Sequence, residues 1–201
     1  MKKLLTVIAL VSAVALTGCG KADSAASFGD ITISQVQAQS KVDELLAERT
    51  KIDTSALQLE TGNALNRSQL RFTIFTSIFD EIAKELKIEV STTEIENTRN
   101  GIYEQIGGES ELPKNLVAAQ IAPSNFERYL RATIISNKLA GALAMAGVAE
   151  SDVQAKISEL LQKKAEQLKV TVNPRYGVWD NAAGDLVPED SAGSAVVPST
   201  K

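Results

Sequence analysis

The segment "NRSQLRFTIFTSIFDEIAKELKI" constrains this chain more than any other. Leu70, Ile74, Ile78 and Ile82 recur every fourth residue, and Phe72, Phe75, Phe79 and Leu86 fill the adjacent rows. This periodicity predicts a helix over 68–86. Its apolar arc is too wide for a single contact, so neighbours must cover it on two sides. A chain organised around such a helix folds as a helical domain with that helix inside. Aromatic residues are only 4% of the sequence, so Leu, Ile, Val and Ala must supply most of the core.

The flanking segments supply the neighbours. Ser34 with Gln37 three residues on has the pattern of a capping box, which predicts a helix over 34–49 with Val36, Val42, Leu45 and Leu46 as its apolar positions. Residues 50–65 read as a loop with a short helical turn over 55–60. "VSTTEIENTRNGIYEQIGG" has a Ser or Thr cap, a helix to Ile106 and a Gly107-Gly108 stop. "LPKNLVAAQIAP" is a short helix ending before Pro123. Ser124 opens a helix with Phe126, Leu130, Ile134 and Leu143 near one face, stopped by Gly147. "AESDVQAKISELLQKKAEQLK" begins acidic and ends basic, which suits the helix dipole. Its stripe is Val153, Ile157, Leu160, Leu161 and Leu168.

Short strands sit at both ends. Ile31 and Ile33 alternate with Thr32 after a Gly29-Asp30 turn. Val170 and Val172 flank Thr171 until Asn173-Pro174 ends the run. Two lone strands need partners, and pairing with each other is the simplest solution. The expected fold is therefore mainly α, with five to six helices closed by a small two-stranded sheet joining the N- and C-terminal strands.

The first residues carry an address. Lys2 and Lys3 precede an apolar run over 4–16, shorter than the roughly 20 residues of a membrane span. Leu16, Thr17, Gly18 and Cys19 follow, and these resemble a bacterial lipobox. The resemblance implies a signal peptide over 1–18, recognised through Leu16, Thr17 and Gly18. Cleavage leaves Cys19 to carry a diacylglyceryl group, and two acyl chains anchor stably where one does not. Residues 19–27 then read as a lipidated polar tether, and residues 181–201, rich in Ala, Gly, Ser and Pro, as a disordered tail.

Composition narrows the chemistry. The formal charge is −4 with no basic run, which argues against nucleic acid. There is no histidine, so the commonest neutral-pH base and metal ligand is missing. The single cysteine is the one read as lipidated. Glu94, Glu96, Glu109 and Glu111 lack the spacing of a calcium loop and read as a solvated face. No Ser or carboxylate has a catalytic motif around it. The expectation is a non-enzyme with no cofactor and no metal.

The order of parts resembles a family. "FGDITISQVQAQ" soon after a signal peptide is similar to the start of the N-terminal chaperone domain of SurA-type proteins. "STTEIENTRNGIYEQI" and "PSNFERYLRATIISNKL" resemble its middle. The close, with Asn173, Pro174, Arg175, Tyr176 and Gly177, resembles its end. The resemblance covers 28–180 and implies a trigger-factor-like, peptide-binding helical domain; the lipoprotein form looks like an actinobacterial version. Such proteins bind unfolded chains outside the cytoplasm, often beside a parvulin-type isomerase. This chain has no room for that domain and lacks its histidines.

The implied partners are unfolded or secreted polypeptides, and the membrane through the lipid anchor on its extracytoplasmic face. Candidate peptide-binding residues are Phe72, Phe75, Phe79, Phe126, Tyr129, Tyr176 and Trp179. The bland reading stands beside this one. Aromatic residues at helical spacing are more often core than groove, and Tyr176 with Trp179 suits a cover over the seam between strands and helices. A general chaperone, a module for one envelope partner, and a vestigial structural lipoprotein all remain open from sequence.

Overall fold

The structure, a computed structural model, describes residues 23–189. Leu16, Thr17, Gly18 and Cys19 lie outside the described residues, as does the tail beyond 189.

The described chain runs β1 (Ser24–Phe28), β2 (Ile31–Ser34), α1 (Gln35–Arg49), α2 (Gly62–Glu85), α3 (Thr92–Ile106), α4 (Leu112–Ala118), α5 (Phe126–Met145), α6 (Glu150–Leu168), β3 (Thr171–Val172), β4 (Val178–Asp180) and β5 (Asp185–Val187). It is mainly helical, as expected, with six α-helices among the described residues. The caps fall where the sequence places them. Ser34 and Ser91 each form a full capping box, with Gln37 and with Glu94. Gly107 closes α3 in the left-handed region at φ 91°.

α2 lies inside. Leu70, Ile74 and Ile78 are fully buried, in one cluster with Ile135 and Leu139 of α5, Ile157 and Ala165 of α6, and Ala25, Ala26 and Phe28 of β1. The wide apolar arc is thus covered from several directions, at roughly 25 cal/mol per Å² of apolar area removed from water. α2 also starts earlier than expected, at Gly62. Leu65 in that first turn is buried against Val42, Leu45 and Val117 in a second cluster, which makes the early start favourable. Over 55–60 the chain is a loop with a single turn at its start, closed by the Leu57 N–H on the Thr54 carbonyl at 2.9 Å, and Leu57 and Leu59 pack on that second cluster.

The sheet differs from expectation in three ways. The expected tether over 19–27 is strand from Ser24 onward. This strand, β1, is the centre of an antiparallel sheet ordered β2-β1-β3. The N- and C-terminal strands read from sequence therefore do not pair with each other: β2 and β3 flank β1, with Ala26 opposite both Ile33 and Val172. The expected disordered tail also begins too early. β5 follows residue 180 and pairs with β4, placing Leu186 opposite Trp179.

Each miss has a physical cause. β1 reads SAASF and lacks β-branched residues, yet Ala25 and Ala26 are 0% and 1% exposed. Small side chains let neighbours approach this strand closely. In α1, Ala38, Val42 and Leu45 face inward, while Val36 and Leu46 are 79% and 43% exposed. Val36 lies off the inward row, because capping at Ser34 fixes the rotation of the helix.

Candidate functional site

An open groove of about 520 Å³ lies between α2 and α5, with residues 119–121 at one end. Ordinary ligand clefts fall in the range of roughly 300–1,000 Å³. The concavity follows from the pairing of two helix faces. Ser68, Phe72, Phe75 and Phe79 form a stripe along α2, at the spacing of one helix face. Across from them, α5 presents Ala132, Thr133 and Ser136, with Tyr129 at one end of the row. Large side chains on one wall face small ones on the other, and the difference in volume is the groove.

The candidate aromatic residues separate into two groups. Phe72, Phe75 and Phe79 are half-buried, and with the exposed Tyr129 they line this groove. Phe126 does not join them; it is buried with Leu116 and Leu130 in a third cluster. Tyr176 and Trp179 are buried in the main core at 5% and 8% exposure, so they form no surface patch. Trp179 supports the groove from behind, with its ring centroid 6.1 Å from that of Phe75.

Polar contacts hold both walls. Arg71 places its guanidinium 4.9 Å over the Phe75 ring and donates through Nε to Asp185 at 2.5 Å. The β4–β5 hairpin is thereby fastened to the aromatic wall. Gln162 of α6 holds the same hairpin by donating to the carbonyls of Asn181 and Ala182. α2 and α5 are joined by Arg131 to Asp80 at 2.5 Å and Arg128 to Ser77 at 3.3 Å.

One end of the groove is a polar knot that the sequence reading missed. Gln69, 2% exposed, donates Nε2 to the carbonyl of Gln120 at 2.8 Å. The Gln120 side chain accepts from the Glu60 backbone at 2.8 Å and from Arg49 at 3.1 Å. Arg49 also donates to the Glu60 carbonyl. Burial pushes the Arg49 guanidinium below its usual range, and Glu60 works against that shift. Gln69 Oε1 is buried and has no hydrogen-bond partner among the described residues. The available signal was a glutamine on the apolar arc of α2, beside Leu65 and Leu70.

The arrangement offers apolar surface and polar groups side by side. An aromatic wall gains by removing apolar side chains from water. The Ser, Thr, Asn and Gln residues around it accept a polar backbone. Among the described residues no group of three His, Cys, Asp or Glu could hold a metal ion. No helix among them is long and apolar enough to cross a membrane. No family model, curated protein or solved structure matches this chain.

Proposed function

We propose that this protein is a lipid-anchored binder of apolar polypeptide segments, working without an energy source on the outer face of a bacterial membrane. The α2–α5 groove carries this reading: three half-buried phenylalanines face a wall of small residues under a polar rim. The resemblance to the SurA-type chaperone domain supports it, as does the lipobox at Leu16 to Cys19. Clients would be secreted chains whose apolar side chains are still exposed. Binding would be reversible burial of those side chains against Phe72, Phe75 and Phe79. Anchoring would raise the local concentration of the groove where such chains emerge.

A single-partner module is the second reading. The polar knot at Gln69 and Gln120 favours it, because a fixed polar end beside an apolar wall discriminates among ligands where the wall alone does not. An aggregation assay separates the two. Soluble protein from Gly20 onward should suppress aggregation of two unrelated denatured proteins at near-stoichiometric ratio. Suppression of neither, with one dominant partner captured from solubilised membranes, selects the single-partner module.

A further inference from the structure

The first described residues are held firmly. The carbonyl of Asp23 accepts from the Gln35 backbone N–H at 2.8 Å, and Ser24 pairs with Ser34. From the other side, Asn173 donates its backbone N–H to Ala25 and its Nδ2 to the Ser24 carbonyl. The start of β1 is thus clamped between the N-terminus of α1 and the turn that follows β3. Only residues 20–22 lie between Cys19 and Asp23. Fully extended, Cys19 to Asp23 spans roughly 15 Å. A lipid on Cys19 therefore holds this corner close to the bilayer.

The surface at that corner has a matching character. Val36, at the first turn of α1, is 79% exposed, the most exposed large apolar residue after Met145 among the described residues. Beside it lies Arg175, which donates to Gln35 Oε1 at 2.5 Å and stacks over Tyr176 at 5.5 Å. Gln35, Val36, Gln39, Asp43, Arg175 and Tyr176 line one shallow depression. The depression carries the Arg175 guanidinium and the exposed carboxylate of Asp43, which accepts from Gln39. An apolar side chain beside a guanidinium suits the boundary between acyl chains and anionic headgroups.

We propose that the face carrying Val36 and Arg175 rests against the lipid headgroups, so that the domain has one orientation on the membrane. This rests on the lipobox reading of Cys19. A landmark away from the sheet is Met145, 87% exposed at the end of α5. It adjoins the start of α6, whose 19 residues span roughly 28 Å before the chain reaches the sheet.

The test uses the full lipidated chain in phosphatidylcholine–phosphatidylglycerol vesicles that contain a lipid with a nitroxide headgroup. With Cys19 acylated, an introduced cysteine is the only free thiol. Val36→Cys and Met145→Cys are each labelled with a small fluorophore. Emission at 36 should fall strongly, and emission at 145 should be unaffected. Equal quenching at the two positions in vesicle-bound protein overturns the orientation and leaves the anchor intact. A Cys19→Ser chain that stays in the membrane fraction and is fully processed overturns the anchor reading itself.

Discussion

The indole of Trp179 packs against the ring of Phe75, with centroids 6.1 Å apart and planes inclined by 50°. This contact joins a C-terminal hairpin to the aromatic wall of a groove more than a hundred residues earlier in the chain. Trp179 is 8% exposed, so its removal leaves a cavity behind Phe75. Trp179→Ala should cost about 3–5 kcal/mol in urea denaturation. Trp179→Phe should cost less, and at temperatures where it stays folded it should weaken binding of apolar peptides by loosening Phe75. Unchanged peptide affinity in folded Trp179→Phe would separate the hairpin from the groove.

The groove residues and the core residues of α2 should behave differently. Phe72 is half-buried on the groove wall, whereas Ile78 is fully buried among the helices. Phe72→Ala should lose about 1 kcal/mol of stability, because much of its ring is already wet. Ile78→Ala should lose about 2–5 kcal/mol. Client binding should follow the reverse order: Phe72→Ala weakens capture of unfolded chains, and Ile78→Ala leaves it nearly intact while folded. Paired denaturation curves and aggregation assays read both quantities.

The same contrast explains what could be read in advance. Helix ends were legible because Ser34 with Gln37, Ser91 with Glu94, and Gly107 use strong local chemistry. β1 was hidden because a strand inside a tight layer uses Ala and Ser, and those residues carry no strand preference. β5 was hidden because three residues between Gly184 and Pro188 present too short a pattern. The aromatic row of α2 was visible, yet the choice between groove wall and core was not. A groove exists only because Ala132, Thr133 and Ser136 oppose that row, and such a pairing has no signature within either helix.

A pH effect should arise at the α3–α5 junction. Lys138 of α5 reaches Glu94 at 2.6 Å and also donates to the Glu89 carbonyl. The Lys138 hydrogen bond, then the Ser91 backbone and hydroxyl donors, hold the Glu94 carboxyl down to about 2 from an ordinary 4.5. A lowered folded-state pKa stabilises the fold above the unfolded value. That contribution is lost as pH falls from 4.5 through about 2. Glu94→Gln should be less stable than the parent above this window and equal to it below. Salt should shrink the difference, because the pair faces solvent. Urea midpoints on either side of the window, at low and high salt, measure it. A constant gap at all pH values would assign the effect to the α3 cap alone.

Gly177 is the residue of the Asn-Pro-Arg-Tyr-Gly turn that tolerates least. Its φ is +128°, a conformation that L side chains rarely adopt, and a Cβ there would overlap the carbonyl oxygen of Val187. That carbonyl belongs to the strand paired with Val178, so relief by movement would pull β5 off β4. Gly177→Ala should therefore cost about 3 kcal/mol or more, combining backbone strain with lost pairing. The damage should be local at first. Asp185 would release Arg71, and Phe75 would lose the guanidinium that covers it. Hydrogen exchange should speed up in β4 and β5 while α3 and α4 stay protected. Uniform loss of protection across all helices would mean that the hairpin closes the whole domain, not the groove wall alone.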